Sequence, residues 1–325
     1  MNKNPHSKYF SIRIIHHSFV FFSLTEEPLK WKKSGLTIIG GGDTSYQLNE
    51  LNYPRGICMN VENNYIYIAD SSNNRIMQWK IGSNNGEIVA GGNEDEDEDV
   101  DDIHQLLTPS DVIIDKYNNN SLIICDQNNR RVVRWFHQNE IDPQIIISDF
   151  MCEGLALGKD GSLYITIFDG VLRLNQGDKN GIIVAGGNDV GSDLNQLDNP
   201  TFILVDDDYS IYISDTPNNR IMKWGKDAKE GIIFASGNDT STLDRPLGLA
   251  MDHLGQIYIA DSLNHRIIRW REGDKEGEII IGGNGFGNLS TQLNTPQDLV
   301  FDKQGNLYVS DAANNRIQKF EVDFA

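Results

Sequence analysis

The sequence predicts an all-β fold, a six-bladed β-propeller whose blades each contain four strands. Three observations lead to this prediction. A short strand that ends in Asp recurs along the chain, each copy is followed by a turn and a second apolar strand, and the whole unit repeats about every 40 to 50 residues. A single four-stranded sheet cannot bury both of its faces, so we expect the units to stack around a common axis.

The clearest part of the repeat is a Tyr-Ile-Ala-Asp segment that leads into an Asn-Asn-Arg turn. The apolar strand after the turn ends in Trp in most copies, as at Trp79 and Trp224. This pattern predicts a β-hairpin. A further strand, which begins at Pro, precedes most hairpins, and a strand that ends in small residues follows. Five copies carry the final Asp, at Asp70, Asp126, Asp215, Asp261 and Asp311.

Six units can be placed on the chain, and the two ends complement each other. The third unit lacks both the Asp and the Asn-Asn-Arg turn, and the sixth has only three strands. Residues 35–42 match a fourth strand that has no blade before it. We therefore expect residues 35–42 to close the ring by pairing with the last blade, which leaves no open sheet edge. The blades are expected near residues 54–92, 109–148, 153–187, 200–237, 246–283 and 296–322.

Residues 1–34 differ from the repeat and are interpreted as a leader before a single propeller domain of residues 35–325. The apolar stretch from residue 10 to residue 24 resembles a poor secretory signal, and an unstructured leader is the other interpretation. Its uninterrupted apolar run, residues 19–22, is too short to cross a bilayer. No stable membrane span is expected, and both a cytoplasmic and a secreted location stay open.

The chain is strongly acidic, with a formal net charge of −19 from 47 acidic and 28 basic residues. Such a charge disfavours contact with nucleic acids and anionic lipids, so no nucleic-acid partner is expected. An acidic run between residues 94 and 102 is expected to form a hydrated loop. The three cysteines, Cys58, Cys125 and Cys152, lack metal-ligand spacing and are interpreted as small buried hydrophobic residues.

The repeated elements, with Pro-x-Gly starts at residues 54–56 and 246–248, resemble the NHL-repeat family. The resemblance extends from residue 35 to about residue 322 and implies a β-propeller. It implies little about activity, because the family includes unrelated activities. Many members are parts of ubiquitin ligases, but three scattered cysteines cannot form a RING domain, so only a substrate-recruiting role is compatible with this chain.

A catalytic centre needs different residues in different roles, whereas the Asp and Arg residues recur unchanged in most units. We therefore expect these residues to form structural ion pairs. We expect each Asp to pair with a following Arg, as Asp70–Arg75, Asp126–Arg130, Asp215–Arg220, Asp261–Arg266 and Asp311–Arg316. The turns between them share one face with the inter-blade loops, and loops on a rigid ring are favoured binding surfaces. The candidate binding residues are Asn73, Asn74, Asn128, Asn129, Asn218, Asn219, Asn264, His265, Asn314 and Asn315.

The sequence thus favours a non-catalytic, monomeric scaffold that binds a protein or peptide, with no catalytic residue, metal or cofactor assigned. One alternative is a substrate-recruiting component of a ubiquitin-ligase system. Another is a calcium- or zinc-dependent hydrolase or lyase, because Asp111, Glu153 and Asp298 lie where first strands begin and could meet around the axis.

Overall fold

The computed structural model describes residues 28–42, 44–92, 102–136, 141–237 and 242–323, together with the backbone of four residues nearer the start. Six antiparallel four-stranded sheets form a ring, so the predicted fold class is confirmed. Most of the leader and residues 94–101 of the acidic run lie outside the described residues. Within the described ranges, no helix has the length and apolar character needed to cross a membrane.

The strands follow one another in chain order, and the first strand of each blade faces the axis. A two-stranded pair, β1 (Ile14–Ile15) and β2 (Ser18–Phe19), precedes β3 (Leu36–Gly40). Blade 1 contains β4 (Pro54–Asn60), β5 (Tyr65–Asp70), β6 (Arg75–Lys80) and β7 (Glu87–Gly91). Blade 2 contains β8 (Pro109–Asp115), β9 (Ser121–Asp126), β10 (Arg131–Trp135) and β11 (Gln144–Ser148). Blade 3 contains β12 (Leu155–Leu157), β13 (Leu163–Ile167), β14 (Gly170–Leu174) and β15 (Ile182–Gly186).

The remaining three blades have the same order. Blade 4 contains β16 (Ile203–Val205), β17 (Ile211–Asp215), β18 (Arg220–Trp224) and β19 (Ile232–Ala235). Blade 5 contains β20 (Pro246–Met251), β21 (Ile257–Asp261), β22 (Arg266–Trp270) and β23 (Glu278–Gly282). Blade 6 contains β24 (Pro296–Phe301), β25 (Leu307–Asp311), β26 (Arg316–Phe320) and β3. Short 3₁₀ turns join second to third strands at Ser71–Asn73, Thr216–Asn218, Ser262–Asn264 and Ala312–Asn314.

The core consists of the interfaces between neighbouring blades. The second strands are buried along nearly their whole length, as in β17 and β21, whereas the fourth strands begin with two exposed residues, as in β15. The aromatic residue that ends a third strand fills the space between two blades, as Trp79 does beside Tyr308 of blade 6. Burial of an aromatic side chain removes about 150–250 Å² from water, which at about 25 cal/mol per Å² stabilises the ring by several kcal/mol.

The ring closes with the early strand, as the sequence predicts. β3 pairs antiparallel with β26, with Ile39 opposite Ile317 and Gly40 opposite Arg316. Residues 28–34, assigned to the leader from the sequence, continue from β3 and pack between blades 5 and 6, where Trp31 is buried. Within the described part of the chain, residues 28–34 thus contact the ring that follows them.

Two of the three cysteines form a disulfide, which corrects their interpretation as hydrophobic residues. Cys125 of β9 is bonded to Cys152, just before β12, whereas Cys58 is free and buried. The bond joins blade 2 to blade 3, the blade without the repeated Asp. On its other side, blade 3 is joined to blade 4 by Thr166, whose hydroxyl donates to the carbonyl of Thr201 at 2.8 Å. The Cys125–Cys152 bond could not be predicted from the 27-residue separation of the two cysteines, because they meet only when blades 2 and 3 stack.

Candidate functional site

The end of the ring that carries the turns between second and third strands and the inter-blade loops is called the upper face. In blade 1, the buried Asp70 joins three elements at this face. Its Oδ2 accepts hydrogen bonds from Arg75 Nε at 2.7 Å and Asn73 Nδ2 at 2.9 Å, and its Oδ1 accepts from the Asn52 N–H at 2.7 Å. The carboxylate thus holds the second strand, the turn and the inter-blade loop together.

The arginine extends this arrangement into the loop. Arg75 Nη1 donates to the carbonyl of Tyr46 at 2.7 Å, and Nη2 donates to the carbonyls of Gln47 and Glu50 at 3.0 Å. We call this Asp–Arg–loop arrangement the latch. Because both charges are buried and fully hydrogen-bonded, loss of one would leave the other unpaired. The latch recurs with Nε–Oδ2 distances of 2.6–2.7 Å at Asp215–Arg220, Asp261–Arg266 and Asp311–Arg316.

The expected pairing of Asp126 with Arg130 is wrong, because Arg131 is the partner. Arg131 Nε donates to Asp126 Oδ2 at 2.7 Å. Arg130 has a left-handed backbone with φ of 53°, and its guanidinium donates to the carbonyl of Asp149 at 2.8 Å. In every other latch the Arg follows the Asp by five residues, and this spacing identifies Arg131 from the sequence alone.

The residue before each latch arginine links its blade to the next one. Asn74 Oδ1 accepts a hydrogen bond from the Thr108 N–H at 2.8 Å, and Asn315 Oδ1 accepts from the Tyr53 N–H at 2.9 Å across the ring closure. Both asparagines have left-handed backbones, which Asn tolerates better than most residues. We call these contacts staples, and they recur at Asn219 with Arg245 and at His265 with Thr295.

The side chains of most candidate binding residues take part in the latches and staples. Nine of the ten have side chains engaged in these intramolecular hydrogen bonds, at Asn73, Asn74, Asn129, Asn218, Asn219, Asn264, His265, Asn314 and Asn315. Asn128 is different: its side chain is exposed at the tip of its turn. These residues were identified in the sequence because they recur from blade to blade. Residues that hold each blade together recur in the same way. A binding surface is therefore better sought among positions that vary between blades.

Several positions that vary between blades are apolar and exposed. The exposed tips of the turns on the upper face are Ser72, Asn128, Phe168, Pro217, Leu263 and Ala313. Among the described residues, 21 large hydrophobic side chains are exposed, and ten of them belong to upper turns and inter-blade loops, whereas three belong to the turns of the opposite, lower face. The ten, which we call the upper apolar set, are Tyr46, Leu48, Tyr53, Met151, Phe168, Val190, Leu194, Leu263, Phe286 and Leu289.

A polar cluster lies where the first strands begin at the upper face. Arg55 donates to Glu153 Oε2 from Nη2 at 2.6 Å and to Gln127 Oε1 from Nη1 at 2.9 Å. The Gln127 amide in turn donates to the other carboxylate oxygen of Glu153. The three side chains come from blades 1, 2 and 3, so the cluster ties these blades together and neutralises Glu153.

Two buried carboxylates lie deeper, on either side of β4. Asp111 Oδ2 accepts from the Leu155 N–H, and Asp298 Oδ2 accepts from the Ile57 N–H, each at 2.8 Å. Burial raises the pKa of Asp111 to about 7, and repulsion from Glu153 contributes. Burial also raises the pKa of Asp298, and repulsion from Asp111 contributes. At Gly56 a Cβ atom would lie 2.3 Å from Asp111 Oδ1, so a glycine is required there.

The three carboxylates considered for a metal site have other partners in the fold. Glu153 is paired with Arg55, while Asp111 and Asp298 each accept backbone N–H groups from a neighbouring blade. In the part of the chain that the structure describes, no group of three or more His, Cys, Asp or Glu side chains is placed to hold a metal ion.

The raised pKa values predict a specific dependence of stability on pH. A folded protein that keeps a proton on Asp111 up to about pH 7 loses stability as the pH rises from about 4, because the unfolded chain has already released that proton. We expect Asp111→Asn to become progressively more stable relative to the parent between pH 4.5 and 7.5 in urea unfolding. The exposed Asp208→Asn serves as the control, and a constant difference for Asp111→Asn over this range would contradict the prediction.

Comparison with known proteins agrees with this architecture. The NHL repeat model matches residues 51–79, 243–270 and 293–320, which lie in blades 1, 5 and 6. No curated protein sequence matches the chain.

Solved structures that share the fold have different functions. An auxiliary nutrient binding protein from Bacteroides thetaiotaomicron has a TM-score of 0.65 at 14% identity, covering 89% of this chain and 76% of its own. A gluconolactonase from Xanthomonas campestris has a TM-score of 0.63 at 14% identity, covering 89% and 98%. A catalytically inactive virginiamycin B lyase from Staphylococcus aureus has a TM-score of 0.56 at 14% identity, covering 91% and 88%. The repeat matches and the six-bladed ring together show that the chain is an NHL-repeat β-propeller.

Proposed function

We propose that this propeller is a non-catalytic scaffold that binds a protein or peptide partner through its upper face. The observation that carries the proposal is the concentration of exposed apolar side chains on that face, in loops that the latches hold in place. Exposed apolar groups gathered on one surface of a water-soluble ring favour an interaction site.

The loops offer anchors of the kind that dominate protein interfaces. Phe286 is 70% exposed and Leu289 is 63% exposed in the loop before blade 6, and Phe168 is 64% exposed at the tip of its turn. The Phe286 ring lies 5.6 Å from the ring of the staple residue His265. Aromatic side chains held in this way provide large contact areas at a small cost in conformational entropy.

The alternatives receive less support from the geometry. The likeness to a lyase and a gluconolactonase is a likeness of fold, and fold does not transfer activity. The carboxylates considered for a metal site are engaged by Arg55 and by backbone N–H groups. A substrate-recruiting role in a ubiquitin-ligase system would use the same upper face and is one form of the proposed function.

The proposal is tested by removing the apolar anchors and following a partner. We expect proteins captured from native extract by the parent to be lost with the variant Phe168→Ser, Phe286→Ser, Leu289→Ser. The captured protein is then purified and its affinity measured directly by calorimetry. A loss of at least about tenfold, equal to about 1.4 kcal/mol, is expected.

A control variant changes three exposed apolar residues on the outer strands. Ile232→Ser, Ile233→Ser, Ile279→Ser changes side chains with exposures of 55%, 49% and 43%. This control should keep both the partner and its affinity. Equal binding by both variants, or equal loss in both, would show that the upper face is not the binding surface.

A further inference from the structure

The chain itself shows that a space between two blades accepts an extended peptide. Near the lower face, residues 28–34 fill the space between blades 5 and 6. Trp31 is 4% exposed, with its ring centroid 5.4 Å from that of Tyr258 and 5.9 Å from that of Phe301. Its Nε1 donates to the carbonyl of Gly305 at 2.9 Å. We call such a space between neighbouring blades a wedge.

The inserted segment is also held by its backbone. Arg269 Nη1 donates to the carbonyl of Leu29 at 3.0 Å, and Trp31 forms an antiparallel bridge with Val322. The wedge between blades 5 and 6 thus supplies an aromatic wall, a cation for a peptide carbonyl and a strand edge. These are the components of recognition by strand addition.

The wedge between blades 3 and 4 has an aromatic residue and a cation at the corresponding positions and contains an open pocket. Its lining includes Tyr164, Arg173 and Tyr209. From the strand register, Tyr164 and Arg173 stand opposite each other as Tyr258 and Arg269 do in blade 5. Tyr209 takes the place of Gly305, since each closes the same turn between first and second strands.

The charge of this wedge distinguishes it from the others. Blades 2, 4, 5 and 6 also have a cation at the third-strand position that Arg173 occupies in blade 3. In these four blades the cation is paired with a carboxylate, as Arg134–Asp115, Lys223–Glu272, Arg269–Glu278 and Lys319–Glu321. Arg173 has no such pair among the described residues. Compared with blade 5, the carboxylate is missing from the fourth strand, because Ile182 stands opposite Arg173 where Glu278 stands opposite Arg269.

Further cations surround the pocket. Lys226 and Lys229 line it from the turn before β19, and Asp227 is the one acidic residue in the lining, which leaves three positive charges against one negative charge. The ammonium groups of Lys226 and Lys159 lie 4.8 and 5.0 Å from the Tyr209 ring centroid. In a chain with net charge −19, such a local excess of positive charge favours an anionic ligand.

We propose that the wedge between blades 3 and 4 is a docking site for a short extended peptide that carries acidic residues beside an aromatic side chain. Tyr209 receives the aromatic group, while Arg173 and Lys226 pair with the carboxylates. This site goes beyond the proposed function, because it lies near the lower face and shares no residue with the upper apolar set.

The test uses peptides derived from the chain's own insert, residues 28–34. The probe is the charge-reversed sequence Pro-Leu-Glu-Trp-Glu-Glu-Ser, with a fluorescent label, and the comparison peptides are the natural Pro-Leu-Lys-Trp-Lys-Lys-Ser and the probe with Ala in place of Trp. Binding to the full chain is followed by fluorescence anisotropy at low salt. We expect the probe to bind at least about tenfold more tightly than either comparison peptide.

Two protein variants and a control locate the binding. Ile182→Glu restores the carboxylate that blade 5 has and leaves Arg173 in place; because Ile182 is 54% exposed, the fold should tolerate it. This variant and the double variant Arg173→Gln, Lys226→Gln should each weaken probe binding at least about tenfold. Lys275→Gln, at the turn position of blade 5 that corresponds to Lys229, should change it by less than about twofold.

Several results would overturn the proposal. They are equal binding of the probe and the natural peptide, and unchanged probe binding to Ile182→Glu. A third is equal binding of the Trp-free peptide together with its full displacement by inorganic phosphate, which would identify a small-anion site instead.

Discussion

Arg131→Ala is expected to lower the free energy of unfolding by about 3–5 kcal/mol, whereas Arg130→Ala should change it by less than about 0.5 kcal/mol. Arg131 is 5% exposed and paired with the fully buried Asp126, so its removal leaves a buried carboxylate without its counter-charge. Arg130 is exposed and makes one hydrogen bond to a loop carbonyl. The two residues are adjacent and chemically identical, so each serves as the control for the other.

Urea unfolding followed by tryptophan fluorescence measures both variants against the parent. Equal destabilisation by the two substitutions would show that the latch of blade 2 does not depend on Arg131 in particular. A larger effect for Arg130 would restore the pairing that the sequence first suggested.

Deletion of residues 36–40 is expected to abolish the single cooperative unfolding transition of the ring. These residues supply the whole fourth strand of blade 6, and without them β26 becomes an open edge beside a core that has lost Ile39. Scanning calorimetry should then show a broad transition at a temperature lowered by well over 10 °C, the effect of losing several kcal/mol from a chain of this size. A deletion variant that melts cooperatively at the parent temperature would exclude closure by this strand.

A matched pair of substitutions tests the same strand without a deletion. Ile39→Ala should cost about 2–5 kcal/mol, because Ile39 is 2% exposed between blades 6 and 1. Leu36→Ala, in the same strand but 62% exposed, should cost less than about 0.5 kcal/mol. Equal costs for the two would mean that the strand packs in a different register.

The fold could be predicted from the sequence because the repeat encodes it locally. Asp70, the turn after it and the apolar strand ending at Trp79 each follow from short-range patterns, and their recurrence gives the number of blades. Closure by β3 could also be predicted, since an unpaired fourth strand at one end matched a missing one at the other.

The site was harder to predict, because its contacts depend on how separate blades meet. The staple between Asn315 and Tyr53 joins residues 262 positions apart, and the Cys125–Cys152 bond depends on the stacking of blades 2 and 3. The asparagines recur in the predicted turns, so they were interpreted as binding residues. Residues such as Phe168 and Ile182 belong to no motif, and their importance appears only when equivalent positions of the six blades are compared in space.

Closure by β3 also sets the order in which the molecule can assemble during synthesis. β3 leaves the ribosome long before its partner, since Ile39 pairs with Ile317 and Trp31 bonds to Gly305, 274 residues further along the chain. Blades 1 to 5 can form as they emerge, but the sixth waits for β26. Throughout that interval β3 has an unpaired edge, and Trp31 just before it is not buried. Translation must therefore pass residue 320 before blade 6 is complete, and until then the unpaired edge of β3 is open to pairing with other chains.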